Sequence, residues 1–337
     1  MAKGSRFTLQ RFRTPCERPH PCTPSRSQTN TRVRRRQGIE RSDFGCGFSN
    51  RGYMIPFTQP MSTLSIWFRD LLVAGALAGV AAQAAPWRQL FVFGDSYSDS
   101  GAGYVDGNGP TSVVYLAQKL EIPFTHANDP ARAGHGLNFA VSGAQTGSGE
   151  GRRIKDALLE RGMRNQVRDF VGRVRRGEVK FDPATTLFFI AGGLNDGSLA
   201  TESTITNLGE QITGLHEAGA RFFCLALLPV QIPAFSAVGR RLNPALTALA
   251  ATLHLQGATI RVSQWGRFFD EVMENPSAYD ITNTMDACAG RALFDQNTSP
   301  MGDPKTYYYY HASHPSTAVH QVVGERLARE ILGGSWW

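Results

Sequence analysis

The sequence predicts an α/β protein: one domain built on a mostly parallel sheet of about five strands, with helices between them. Three observations predict this class. Short, wholly apolar runs closed by glycine or a polar turn recur along the chain, as strands buried on both faces of a parallel sheet require. Segments of helical period separate those runs, and that alternation is the mark of βαβ construction. The composition is that of an ordinary globular chain, with 337 residues, 42% hydrophobic and 19% charged, which is enough for one large domain or two.

The opening strand is the run Leu90-Phe-Val-Phe93, closed by Gly94-Asp95-Ser96. A glycine-rich loop over 101–110 follows, then a short helix over 113–120. The apolar stretch Gly136-Leu-Asn-Phe-Ala-Val-Ser-Gly-Ala144 reads as a second strand ending at Gly143. Residues 153–175 read as one helix, because Ile154, Leu158, Met163, Val167, Phe170 and Val171 recur near the helical period. The run 187–191 is a third strand that enters Gly192-Gly-Leu-Asn-Asp196 directly. A helix over 203–218, a strand over 222–228 and a helix over 243–255 come next, the last with Asn243 as cap and Pro244 at its first position. A fifth strand spans 258–262 and a short helix 265–273. Residues 275–305 read as a long polar loop, of the kind that faces substrate or covers a site. The segment Thr306-Tyr-Tyr-Tyr-Tyr-His-Ala-Ser-His-Pro-Ser316 follows, and a helix over 317–332 closes the chain.

Ahead of this domain the composition changes. Residues 1–60 hold 12 Lys and Arg against 3 Asp and Glu, so the remainder carries 23 basic against 25 acidic residues. The net charge of +7 therefore belongs to the leader, and the near-neutral body argues against a nucleic-acid partner. The leader has too little apolar sequence to fold. It reads as a disordered basic tail, a targeting segment, or sequence upstream of the natural start. The third reading is favoured, because residues 61–84 form an export signal beginning at Met61. Their apolar run over 71–82 is too short to span a bilayer comfortably, and it ends in Ala82-Gln83-Ala84, the small-x-small pattern of a cleavage site. Cleavage near Ala84 and Ala85 would leave residues 85–337 as a single domain, secreted or periplasmic.

Chemistry-bearing residues gather where these elements end. In open α/β sheets ligands sit outside the carboxyl ends of the strands. Ser96, at such an end, is a candidate nucleophile, though a serine there can also simply cap a turn. Gly143 can offer a backbone N–H and Asn195 a side-chain amide to a developing oxyanion, with the N–H of Ser96 as a third donor. His314, just before Pro315 and the last helix, is the candidate base, with Pro315 expected to fix the backbone there and start that helix. Asp99 and Asp196, with Asp95, read as supports that hold the turns. Gly101-Ala-Gly103 does not make a dinucleotide fingerprint, because no helix opens at the glycines. No cofactor is expected. His126, His135, His216, His254 and His320 have no partner at a telling spacing and default to surface or packing roles. The four tyrosines 307–310 read as an extended, half-buried segment, of which one ring could line an acyl pocket. Cys224 reads as a buried thiol, with pairing to Cys288 the lesser alternative. Asn297-Thr-Ser299 fits a glycosylation acceptor.

Gly94-Asp95-Ser96, Gly143 within Asn138-Phe-Ala-Val-Ser-Gly-Ala144, Gly193-Leu-Asn195-Asp196 and His314-Pro315 resemble, in order and spacing, the four blocks of the GDSL or SGNH hydrolases. The resemblance runs from about Leu90 to the C-terminus, and is nearest to the secreted lecithinase/hemolysin-type lipases and esterases. It implies a flavodoxin-like three-layer α/β/α sandwich and ester hydrolysis through an acyl-enzyme on Ser96. The implied partner is a small-molecule or lipid ester, with transient membrane-surface contact and a monomeric state. One position departs from the pattern: the family usually carries Asp three residues before its histidine, and His311 stands there. A neutral group in place of that acid costs about 10⁴ in turnover in a serine triad. A backbone carbonyl is the preferred substitute. A direct contact between His311 and His314, or a carboxylate from Asp303 or Asp295, is the alternative. The same departure leaves room for a non-catalytic lipid- or carbohydrate-binding relative. A metal site on His311 and His314 is disfavoured, since Pro315 keeps them off a shared helix face.

Overall fold

The structure, a computed structural model, describes residues 87–100, 107–129 and 134–333. The leader, the export signal with its cleavage site, Cys16, Cys22, Cys46 and most of the 101–110 loop lie outside the described residues.

The described elements in chain order begin with β1 (Gln89–Gly94), α1 (Ser112–Lys119), β2 (Phe124–His126), β3 (Gly136–Asn138), β4 (Glu150–Ile154) and β5 (Ala157–Arg161). Next are α2 (Met163–Arg175), β6 (Thr186–Ala191), α3 (Thr201–Glu217), β7 (Phe222–Ala226), α4 (Ser236–Thr252), β8 (Thr259–Ser263) and α5 (Trp265–Glu274). The chain ends with β9 (Asn283–Ala287), β10 (Tyr307–His311), β11 (His314–Pro315) and α6 (Thr317–Gly333). The central sheet has the order β2-β3-β1-β6-β7-β8, and every pairing in it is parallel.

Strand alternation explains why helices cover both faces. Phe91, Phe93 and Phe188 project to one side and meet Phe170 of α2, with ring centroids 4.9, 5.7 and 5.6 Å apart. Phe189, one position on from Phe188, points the other way and meets Trp265 of α5 at 6.0 Å. The helices sort accordingly: α2, α3 and α4 pack in succession, while α6 packs on α1 and α5. All six residues of β1 and all six of β6 are buried, which is why both read as unbroken apolar runs rather than alternating ones. The result is the three-layer sandwich expected from the sequence.

Several elements differ from the sequence reading, each for a local reason. The sheet has six strands, the sixth being the three-residue edge strand β2. The strand expected to end at Gly143 stops at Asn138, because the Asn138 side chain accepts from the Ala140 N–H (3.0 Å) and donates to the Ser98 carbonyl (2.7 Å). The chain still runs beside β1 to Val141, whose N–H donates to the Gly94 carbonyl. The helix expected over 153–175 begins only at Met163. Residues 150–161 form an antiparallel hairpin turning at Lys155 (φ 51°), whose Ile154 and Leu158 lie across the turn at a spacing that also suits a helix.

Helix α4 begins at Ser236 and contains Pro244. Asn243 does not cap it but pairs with both the N–H and the carbonyl of Leu228, at 2.8 and 2.9 Å. The long loop over 275–305 contains β9, which joins β10 and β11 in a small second sheet. Pro315 pairs with Tyr309 inside that sheet and does not start the last helix, which begins at Thr317. Cys224 and Cys288 are both free and buried.

Candidate active site

Three chain reversals at the carboxyl ends of β1, β3 and β6 each leave one partly open residue between two buried ones: Ser96 between Asp95 and Tyr97, Gly143 between Ser142 and Ala144, and Asn195 between Leu194 and Asp196. All three line one cavity of about 310 Å³, together with His314 from the small sheet. His314 Nε2 lies 2.8 Å from Ser96 Oγ.

The turn bearing Ser96 is held by short-range bonds. Asp95 Oδ1 accepts from the Tyr97 N–H (3.1 Å), and the Asp95 carbonyl accepts from the N–H groups of Ser98 and Asp99. Gln166 of α2 clamps the residue before, accepting from the Gly94 N–H (3.0 Å) and donating to the Gly94 carbonyl (2.9 Å). Burial pushes the Asp95 carboxyl up to about 7, with Asp196 and Asp99 adding to the rise and the Tyr97 N–H opposing it. A carboxyl sealed off in this way works as turn architecture and not as an exposed acid.

Asp99 and Asp196 hold the other two reversals. Asp99 accepts from the Ser142 N–H at 2.8 Å, next to Gly143. Asp196 accepts from the Thr146 N–H (3.1 Å), the Thr146 hydroxyl and the Thr204 hydroxyl (2.8 Å). Gly143 has φ 79°, and a Cβ there would stand 2.9 Å from Glu160 Cγ, so both backbone and space call for glycine. Asn195 donates to the Ala144 carbonyl at 2.9 Å, which orients its amide along the cavity wall.

The histidine side is built differently. His314 sits on β11, after a tight turn at Ala312 (φ 37°), and its ring lies 4.6 Å from that of His311. No protein group among the described residues hydrogen-bonds His314 Nδ1. Of the three stand-ins for the missing acid only the contact with His311 is present: among the described residues no backbone carbonyl hydrogen-bonds that nitrogen, and both carboxylates are engaged elsewhere. Asp295 pairs with Lys155 at 2.7 Å, and Asp303 caps the Lys305 N–H at 3.0 Å. His311 is the ring beside His314, in tilted contact and not hydrogen-bonded to that nitrogen. Burial, then the charge of Arg291, brings His311 down to about 3. Burial, His311 and Arg291 hold His314 well below the usual range. Both imidazoles are thus neutral near pH 7, and a neutral Nε2 can accept the Ser96 proton.

Three site residues carry no motif. Tyr97 donates its phenol to the Ser313 carbonyl at 2.6 Å, tying the serine turn to the histidine turn. Gln166 gave a usable signal, being polar on the helix face formed by Met163, Val167 and Phe170. Arg291 lines the cavity from the segment read as a loop, and only the folded arrangement brings it there. None of the four tyrosines 307–310 lines the cavity. The phenol of Tyr308 instead donates to the Phe269 carbonyl at 3.0 Å. His320 is buried and accepts from the Ser112 N–H at 3.2 Å.

A sequence model of the GDSL-like Lipase/Acylhydrolase family matches residues 90–327. The chain belongs to this family. Membership supports ester-hydrolase activity in general terms. An uncharacterized protein in the trpE-trpG intergenic region of Pseudomonas putida is 25% identical over 321 residues, covering 80% of this chain and 52% of that protein. The chain therefore spans about half the length of this curated relative. Among solved structures, the psychrotrophic esterase EstA from Pseudoalteromonas sp. is 13% identical, covering 73% of this chain and 100% of that one, with a TM-score of 0.40. A member of the lipolytic protein G-D-S-L family from Veillonella parvula is 13% identical, covering 71% and 94%, with a TM-score of 0.37. Among the described residues, no group of three or more His, Cys, Asp or Glu could hold a metal ion, and no helix is long and apolar enough to cross a membrane.

Proposed function

We propose that this GDSL-family protein is an exported serine carboxylic-ester hydrolase, released by cleavage near Ala84, acting on a small-molecule or lipid ester. The observation that carries the reading is the 2.8 Å contact between Ser96 Oγ and His314 Nε2 at the floor of a cavity also lined by Gly143 and Asn195.

Ser96 Oγ attacks the acyl carbon while its proton passes to His314 Nε2. The N–H groups of Ser96 and Gly143 and the amide of Asn195 stabilise the oxyanion. Collapse of the tetrahedral intermediate breaks the ester C–O bond, and His314 returns the proton to the departing alkoxide. Water, deprotonated by the same imidazole, then attacks the acyl-enzyme and frees the acid and Ser96. Asp95, Asp99 and Asp196 hold the donors in place without exchanging protons.

Hydrolysis of short p-nitrophenyl esters, with covalent labelling by a fluorophosphonate, tests the assignment. Ser96→Ala is expected to abolish labelling and lower turnover by about 10⁴-fold or more. Labelling that survives the substitution would refute it. The His314 Nδ1, which has no hydrogen-bond partner among the described residues, favours one competing reading, a binding protein whose triad has decayed. That reading requires ester or lipid binding without turnover, unaltered by Ser96→Ala.

A further inference from the structure

The peptide joining Ser142 to Gly143 carries one of the proposed oxyanion donors, and the hairpin β4–β5 holds it from outside the turn. Residues 141–144 form a β-turn closed by the Ala144 N–H on the Val141 carbonyl at 3.1 Å. Of its two central residues only Gly143, the third in the turn, has a positive φ (79°), which is the type II form. Types I and II differ by a half-turn of the central peptide, and glycine at the third position can adopt either. The closing hydrogen bond suits both forms, so a contact outside the turn has to select one. Glu160 supplies it: its N–H donates to the Ser142 carbonyl at 2.7 Å. A trans peptide sets its N–H opposite its C=O, so this bond turns the Gly143 N–H away from the hairpin. The bond from the Ser142 N–H to Asp99 lies in the preceding peptide and does not fix this one.

The hairpin departs from a regular ladder where this bond is made. Glu160 lies between Leu159 and Arg161, which pair with Arg152 and Glu150, and so stands opposite Gly151. Both have positive φ, 60° at Glu160 and 76° at Gly151. Such a backbone is uncommon for a residue with a side chain and marks a place held for a reason. The Glu160 side chain takes no part in the bond, since Arg152 grips its carboxylate through two contacts of 2.8 Å. The hairpin is also moored at both ends. At its foot the Gly162 N–H donates to the Gly149 carbonyl at 2.9 Å, and Arg161 pairs with Asp169 of α2 at 2.7 Å. At its tip Lys155 meets Asp295 and the Ala292 carbonyl, both at 2.7 Å.

We propose that Glu160 is a positioning residue whose backbone N–H latches the Ser142–Gly143 peptide in the orientation that offers the Gly143 N–H to the oxyanion. The inference rests on the ester-hydrolase reading and adds to it a residue that acts through Gly143. Without the latch the peptide is free to flip to the type I form, and the donor is lost where charge develops, which is a transition-state effect.

Removing that N–H alone tests it. In the full-length protein, nonsense suppression replaces Glu160 with the α-hydroxy acid bearing the same side chain, so that one backbone amide becomes an ester. On p-nitrophenyl butyrate kcat is expected to fall by about tenfold to 10²-fold, up to the loss of one oxyanion donor, while KM changes by less than about threefold. Glu160→Pro lacks the N–H and cannot take a positive φ, so it shows the same split or a larger one. Glu160→Gly keeps the N–H and adopts that backbone freely, and returns kcat to within about threefold of the wild type. Urea unfolding shows whether the proline variant folds; if it does not, the ester variant decides alone. Ser96-dependent turnover with kcat unchanged in the ester variant overturns the inference and leaves the hydrolase reading standing. So does a raised KM at constant kcat, which assigns the hairpin to substrate binding. A loss in Glu160→Gly as large as in the ester variant overturns it too, by assigning the effect to the side chain. No turnover of any ester by the wild type, together with no fluorophosphonate labelling, overturns both readings.

Discussion

The serine half and the histidine half of the site are held by different means. Ser96 sits at the end of a fully buried central strand, in a turn fixed by Asp95, Gln166 and the Asn138 side chain, whose partners on the turn are backbone groups of residues 94 to 99. His314 sits on a two-residue strand of a small sheet, after a turn at a left-handed alanine, and its second ring nitrogen meets no protein partner among the described residues. The contrast suggests that the proposed nucleophile and oxyanion donors are preorganised by hydrogen bonds, whereas the proposed base is positioned by packing. Preorganisation of the donors is where most of the electrostatic stabilisation of an acyl-transfer transition state resides, so a chain with this asymmetry can keep ester chemistry while lacking the usual acid.

Breaking the serine half should have the larger effect on stability. Gln166→Leu keeps the bulk of the side chain but removes three hydrogen bonds, two to Gly94 and one to the Arg161 carbonyl. Stranding buried backbone groups costs about 1–3 kcal/mol each, so a loss of about 2–4 kcal/mol is expected in urea unfolding, with slower fluorophosphonate labelling of Ser96. Wild-type stability and labelling in that variant would mean that the clamp does not hold the turn.

Supplying what the histidine half lacks should sharpen the contrast. His311→Asp puts a carboxylate beside His314 and within the field of Arg291, where it can orient the imidazole and stabilise its protonated form. Turnover should rise by at least about tenfold. The pH profile carries an independent sign. In the wild type, burial, His311 and Arg291 all disfavour the imidazolium of His314, so the acid limb of kcat/KM is expected below the ordinary imidazole range. A neighbouring carboxylate favours the charged ring and moves that limb to higher pH. Unchanged turnover with an unmoved limb would show that residue 311 does not act on the base.

The same asymmetry explains what could be read from the chain alone. The central strands were legible because a strand buried on both faces has to be apolar throughout, and Leu90 to Phe93 and Leu187 to Ala191 are. The four motif residues were legible because each stands in a short block whose glycine, asparagine or proline marks a turn, although the side chains that hold the turns at Gly94 and Ser142 act across 72 and 43 positions. The hairpin over 150–161 was hidden because Ile154 and Leu158 fit a helical period as well as a turn-spanning pair, and the left-handed backbone at Lys155 leaves no mark in residue type. Asn243 and Pro244 look like a helix start, yet the amide is taken by the Leu228 backbone, a partner 15 positions away. Arg291 and Tyr97 were invisible as site residues because their roles depend on segments far apart in sequence: the phenol of Tyr97 meets a carbonyl 216 residues on.

That long-range tie provides the finest test of whether packing alone holds the base. Tyr97 is fully buried, and burial keeps its hydroxyl protonated well past the usual phenol range, so it donates to the Ser313 carbonyl throughout the working pH. Its ring also lies 5.8 Å from that of His314. Tyr97→Phe retains this contact and removes only the hydrogen bond, at a cost of about 1 kcal/mol in unfolding free energy. If the bond serves to seat the histidine turn, kcat falls a few-fold while KM and the acid limb stay put, because no charge near the imidazole has changed. A shift of the limb would instead mean that the phenol tunes the base electrostatically. Loss of stability with kcat intact would mean that the neighbouring rings of His311 and Tyr97 seat His314 unaided.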